Sequence, residues 1–156
     1  MAHQLTQKER MLLEDQKKHE EVCIQKYRTY AAQVQDSQLK QLLNNYAQQE
    51  QQHLDSINQM LAGQIPSMIQ GQQGQQASPT MTAGTQPGGA ANQQDAMLLN
   101  DLLMTEKYVS NAYNTAIFEF TNSQMRQALN HIQKEEQQHG EGIYNYMNAH
   151  GMYNPQ

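Results

Sequence analysis

The sequence predicts an all-α protein, an antiparallel four-helix bundle made of two repeated helical hairpins with a long crossover connector. Sliding the chain by 86 residues aligns residues 11–63 with 97–149 without a gap and gives 17 identities in 53 positions. One supersecondary unit therefore occurs twice. In both copies apolar residues recur at spacings of three and four, which is the period of an amphipathic helix. Between the copies, residues 64–92 hold five of the nine Gly, three of the four Pro and no charged residue.

The first hairpin is expected over residues 6–63. Thr6-Gln-Lys-Glu9 has the form of a capping box at a helix start. Asp36 and Ser37 interrupt the apolar stripe and predict a tight turn that caps the next helix. Gly63, with a Pro three residues later, predicts the end of the second helix.

The second hairpin is expected over residues 93–150, with its turn at Asn122 and its stop at Gly151. The composition of residues 64–92 is that of a flexible connector. A helix of about 27 residues is roughly 40 Å long, and a connector of 29 residues can span that length. We therefore expect helix three to begin at the end of the bundle opposite to where helix two stops. Residues 1–156 then form a single domain.

Composition excludes several classes of protein. A chain of 156 residues with 37% hydrophobic residues and a mean hydropathy of −0.88 has no stretch that could span a bilayer, so no membrane partner is expected. The N-terminus has no basic-then-apolar leader, so we expect synthesis without a signal peptide. One cysteine excludes an intrachain disulfide. The net charge of −5 disfavours binding to nucleic acid.

Charged residues inside the apolar stripes predict the functional site. Each second helix of a hairpin carries Glu-x-x-His, and a further Glu precedes each motif by 30 residues. Neighbours seven residues away are apolar, so these side chains point inward, and the helix rise of 1.5 Å per residue brings them to one level. One Glu from each of two helices and Glu-x-x-His from the other two is the ligand set of ferritin-like dinuclear sites. The candidate ligands of two Fe or Mn ions are Glu20, Glu50, His53, Glu106, Glu136 and His139. The alternative is that both Glu-x-x-His motifs lie on solvated faces.

Other residues near the predicted site have two interpretations each. Tyr27 and Tyr113 either hydrogen-bond a ligand carboxylate or are core aromatics. Cys23 lies near the cluster or fills the core as a small hydrophobe. Lys17 stands where the second copy has Leu103; it either pairs with Glu20 or marks a polar opening that gives solvent access.

The second half of the chain contains the motifs LLMTEKY, YNTAIFE, EEQQHG and the terminal HGMYNPQ, all within Leu98–Gln156. With these motifs it resembles the coat F family of bacterial spore-coat proteins. That family is assigned to the ferritin-like superfamily, so the resemblance implies the same bundle and the same six metal ligands. It also implies a sporulating bacterium, synthesis in the cytoplasm and a place in the spore coat. No catalytic activity comes with the family.

Two functional classes remain open. The first is a structural spore-coat protein, with the metal cluster either vestigial or a staple of the bundle. The second is a di-iron or di-manganese redox enzyme that consumes peroxide or activates oxygen. Both need the same ligands, so the sequence leaves open whether the protein is an enzyme. The expected partners are other spore-coat proteins or further copies of this chain.

Overall fold

The computed structural model describes residues 4–67 and 93–152, and this part of the chain forms four α-helices. They are α1 (Gln7–Gln33), α2 (Ser37–Leu61), α3 (Gln93–Glu119) and α4 (Ser123–Ala149). The predicted all-α four-helix bundle is confirmed. None of the four combines the length and the apolarity that a bilayer crossing requires.

The helices begin and end where the sequence signals predict. Thr6 accepts a hydrogen bond from the backbone of Glu9, whose carboxylate accepts one from the backbone of Thr6, which completes the capping box. Asp36 and Asn122 cap α2 and α4 through their side chains. Gly63 and Gly151 follow α2 and α4 with φ of 82° and 70°. In this left-handed region a glycine avoids the clash that a Cβ would cause.

Contacts at the two ends of the bundle fix its topology. Asp95, near the start of α3, accepts a hydrogen bond from the backbone of Gln35 in the turn between α1 and α2. At the other end, Glu9 of α1 accepts from the backbone N–H of Thr121 at 2.9 Å, in the turn between α3 and α4. α3 therefore begins at the end opposite to where α2 stops, as expected. The connector predicted over 64–92 lies outside the described residues from residue 68 onward.

A polar seam joins the two hairpins along α1 and α3. Lys26 pairs with Asp101 at 3.0 Å and donates to the hydroxyl of Thr105 at 2.9 Å. The hydroxyl of Tyr30 donates to the same Asp101 at 2.8 Å. Behind this seam, fully buried leucine, isoleucine and methionine side chains of all four helices form one core. The predicted ligands lie inside that core.

Candidate metal centre

Each predicted ligand occupies a core position on its helix. Leu43, Glu50 and Ile57 follow one another at seven-residue spacing on α2, and all three are fully buried. Because two helical turns bring such residues onto one face, a carboxylate between two core residues faces the core and not the solvent. The same holds for the other predicted ligands, which are at most 3% exposed: Glu20, His53, Glu106, Glu136 and His139. The alternative placement on solvated faces is therefore wrong.

The six side chains converge at one level of the bundle. Nδ1 of His53 lies 3.0 Å from Oε1 of Glu50 and 3.5 Å from Oε1 of Glu20. Nδ1 of His139 lies 3.3 Å from Oε2 of Glu106. It also lies 3.2 Å from the second oxygen of Glu50. Both imidazoles thus direct the same nitrogen at the carboxylates.

The cluster divides into two overlapping groups of four possible ligands. Glu20 and His53 form one group, and Glu106 and His139 form the other; each includes both Glu50 and Glu136. Within each group the ligand atoms all lie within 4.8 Å of one another. We call Glu50 and Glu136 the shared carboxyls, because each can contribute to both groups. We call Glu20 and Glu106 the paired carboxylates, because each faces one imidazole.

Several carboxylate oxygens in the cluster have no hydrogen-bond partner and could bind a cation. Oε1 of Glu20, Oε1 of Glu106 and both oxygens of Glu136 are buried without a hydrogen-bond partner. A buried acceptor without a partner costs about 1–3 kcal/mol. Hard carboxylate oxygens suit Mn and Fe, and imidazole suits Fe. Four carboxylates would also neutralise two divalent ions, so the residues present fit a dinuclear centre.

Protons balance the charge of the cluster when no metal is bound. Burial opposes ionisation of Glu20, but the charge of His53 outweighs it and lowers the pKa of Glu20 to about 2. Burial likewise opposes ionisation of Glu106, and His139 lowers its pKa. Burial and the repulsion of neighbouring carboxylates raise the pKa of both shared carboxyls well above the ordinary value.

The imidazoles carry the compensating positive charges. Burial disfavours their charged forms, but Glu20 raises the pKa of His53 well above its ordinary value. In the same way, Glu106 raises the pKa of His139 to about 9. These shifts favour two imidazolium ions that face two ionised paired carboxylates, and they favour the protonated form of the shared carboxyls. Four carboxylates this close do not all ionise together.

Two residues that the sequence did not predict hold the imidazoles from behind. Nε2 of His53 contacts Oε1 of Glu135 at 2.7 Å, and Nε2 of His139 contacts Oε1 of Gln49 at 2.5 Å. Each partner directly precedes a shared carboxyl on the opposite hairpin. Such a contact fixes the ring orientation and leaves the other nitrogen free for a metal. The 86-residue repeat aligns Gln49 with Glu135, but only the register of α2 against α4 shows what they contact.

Tyr27 and Tyr113 combine both roles predicted for them. Each is at most 1% exposed. The hydroxyl of Tyr27 donates to Glu106, and that of Tyr113 donates to Glu20 at 2.5 Å. Each hairpin thus supplies the hydroxyl that holds the paired carboxylate of the other. These bonds fix the carboxylate orientation before any ion binds.

Cys23 belongs to the core, at 1% exposure, and lies close enough to the cluster for the carboxylates to affect its ionisation. Burial, followed by repulsion from Glu50 and Glu136, raises the pKa of its thiol. It therefore stays protonated, as expected of a small buried hydrophobe rather than a ligand.

Of the two interpretations of Lys17, the ion pair with Glu20 is wrong, and the opening stays a prediction. Lys17 makes no ion pair with Glu20 and is partly exposed, whereas Gln16 is the buried residue at 1% exposure. A cavity of about 460 Å³ lies in the other hairpin, between α3 and α4, and Glu106 and Glu136 are among its lining residues. Gln16 is more buried than Lys17 because of its position around the helix. Lys17, three residues before Glu20, is rotated by about 60° from it, whereas Gln16, four residues before, is rotated by about 40°.

Comparison with known proteins identifies the second hairpin. Residues 94–156 match the family described as the Coat F domain. The uncharacterized protein YusN of Bacillus subtilis (strain 168) is 37% identical over 59 residues, which cover 38% of this chain and 54% of that protein. The chain thus spans about half the length of this curated relative. No solved structure matches the chain. Residues 94–156, which include most of α3 and all of α4, therefore belong to the Coat F domain family, as the motifs of the second half predict.

Proposed function

We propose that this protein is a structural spore-coat protein whose ferritin-like bundle is held together at its centre by two Fe or Mn ions. The Coat F domain over residues 94–156 supports the coat role. Two overlapping groups of buried ligands with the same two shared carboxyls support the metal centre. This sharing carries the proposal, because Glu50 and Glu136 together with Glu20, His53, Glu106 and His139 would hold two cations and so cross-link all four helices at one level. Spores of the source bacterium should retain the protein in their coat fraction.

The partners in that coat would be other coat proteins or further copies of this chain. Four large apolar side chains of α3 are between 66% and 80% exposed: Met97, Met104, Tyr108 and Phe118. Spacings of seven, four and ten residues keep them within about 80° of one another around the helix. An exposed apolar row of this kind is typical of a surface that associates.

Metal addition tests the proposed centre. We expect protein purified without chelator to contain two ions per chain, and Mn²⁺ or Fe²⁺ to raise the melting temperature of the chelated protein. Metal at a hundred times its Kd stabilises the folded state by about 2.7 kcal/mol. For a domain of this size that corresponds to roughly 5–10 °C.

Glu136→Gln provides the informative variant. Because burial and neighbouring carboxylates keep Glu136 protonated without metal, glutamine imitates its metal-free form and the chelated variant should melt close to wild type. The gain on adding metal should largely disappear. Glu141→Gln, at an exposed position of the same helix, is the matched control and should keep the full gain. A melting temperature that no metal changes would contradict the proposed centre.

The second candidate is a di-iron or di-manganese redox enzyme, which the cavity beside Glu106 and Glu136 favours. A metal centre with only a structural role has no need of an opening toward its ligands. The two classes separate by turnover: metal-loaded wild type either consumes hydrogen peroxide catalytically or does not. Absence of turnover in fully loaded protein would leave the structural role alone.

A further inference from the structure

The cavity lies between α3 and α4. Its volume is about 460 Å³, and Glu106 and Glu136 are among its lining residues, although both are at most 3% exposed. Its walls include Leu103 and Ser110 of α3 and Gly140 of α4. Amide side chains and one lysine, Lys107, form much of the remaining lining, and its only acidic residues are the two candidate ligands.

The internal repeat explains why the second hairpin contains this space. Gly140 aligns with Leu54 of the first hairpin, and Ser110 aligns with Ile24. Ile24 is buried at 6% exposure, and Leu54 is half-buried. Two bulky aliphatic side chains in the first hairpin thus correspond to a glycine and a serine in the second. The differences in volume lie on both walls of the cavity.

Gly140 has no conformational reason to be glycine. It lies inside α4 and is not among the glycines with positive φ. A Cβ at this position would meet only Leu103 Cδ1, at 3.8 Å, which is ordinary van der Waals contact. Glycine inside a helix costs about 0.5–1 kcal/mol relative to alanine. What it provides here is open space beside Glu136, one turn earlier on the same helix.

We propose that this cavity is the entrance through which a small hydrogen-bonding ligand of the peroxide class, neutral or singly negative, reaches the Glu106 side of the metal pair. The inference rests on the proposed metal centre. With the carboxylates neutralised by cations, the amide and lysine lining does not repel a small anion. The equivalent position in the first hairpin carries the half-buried Leu54, so we expect entry from the side of the second hairpin.

Azide binding to the cobalt-loaded protein tests the entrance. Azide is a small anion that changes the visible spectrum of Co²⁺ when it joins its ligands, so the readout does not depend on turnover. Gly140→Leu should raise the apparent Kd for azide more than tenfold. Gly140→Ala is the matched control, since it makes the same gain in helix propensity but adds only a methyl group, and its Kd should stay within about threefold of wild type.

Ser110→Ile fills the cavity from the opposite wall, so the test does not depend on the folding of Gly140→Leu. It should also raise the Kd more than tenfold, and all variants should still bind two Co²⁺ per chain. Wild-type azide affinity in either cavity-filling variant would overturn the entrance, as would a wild-type protein that binds two Co²⁺ but gives no azide response. Failure of wild type to bind Co²⁺ would instead overturn the metal centre, and the entrance with it. Metal stoichiometry therefore distinguishes the two failures.

Discussion

Metal binding should expel protons from the centre of the bundle, and the structure predicts how many. In the metal-free cluster the paired carboxylates are ionised, because His53 lowers the pKa of Glu20 to about 2 and His139 lowers that of Glu106. Both imidazoles are protonated, since those carboxylates raise their pKa values. Burial and neighbouring charge keep protons on the shared carboxyls. Two positive and two negative charges leave the cluster neutral.

Ligation needs a different protonation state. Metal ions bind ionised carboxylates and neutral imidazoles. The two shared carboxyls and the two imidazoles must therefore each lose one proton. Full loading with two divalent ions at pH 7 should release about four protons per chain, and the four positive charges that enter replace the four that leave. A cluster open to water would release far fewer, because exposed glutamates are already ionised at that pH.

The count can be measured by adding Mn²⁺ or Co²⁺ to chelated, desalted protein in weak buffer with a pH indicator, against a titration with standard acid. Glu141→Gln removes an exposed carboxylate and should leave the count unchanged. Glu136→Gln lacks one of the protons that leave and should release at least one fewer. Release of less than one proton during full loading would refute the charge balance described above, even if the metal binds.

Two further predictions concern stability. Without metal, the raised pKa of His139 stabilises the folded state fully below the unfolded value of 6.5, and this contribution is lost as the pH rises through about 9. Melting temperatures of chelated protein should therefore fall between pH 6.5 and 9, whereas a flat profile would contradict the coupling. Gly142→Ala should destabilise the protein by about 1–3 kcal/mol, because its Cβ would overlap the hydroxyl of Tyr46. Tyr46→Phe removes that hydroxyl, which has no hydrogen-bond partner, so Gly142→Ala should cost less in that background; equal costs in chemical denaturation would contradict the overlap.

The ligand cluster could be predicted from the sequence because each member lies within an apolar stripe. Glu50, for example, lies midway between the core residues Leu43 and Ile57 on α2, so it is buried when that face of the helix packs. The repeat then supplies the second half of the site at the same separation. These arguments need only helical periodicity and a common level, both of which are local properties of the chain.

The contacts behind the ligands needed the packed structure. Whether Nε2 of His53 faces Glu135 or solvent depends on the register of α2 against α4, and no sequence spacing encodes that register. The same is true of Tyr46, whose ring stacks on His139 with centroids 4.2 Å apart. The sequence signal available for Glu135 was only that it precedes a ligand, which many surface residues also do.

The position of the opening shows where comparison of the repeats succeeded and where it was incomplete. The difference between Lys17 and Leu103 is a change of polarity, and it suggested an opening in the first hairpin. The difference between Leu54 and Gly140 is a change of volume inside the bundle, and it coincides with the cavity in the second. In a closely packed bundle, space depends on side-chain volume. A small residue in place of a large one leaves a cavity beside the helix, whereas a long lysine at the surface creates none. Two halves with matching ligands therefore differ in the space beside those ligands: within the described residues, the second hairpin has a cavity lined by Gly140 and Ser110, where the first carries Leu54 and Ile24.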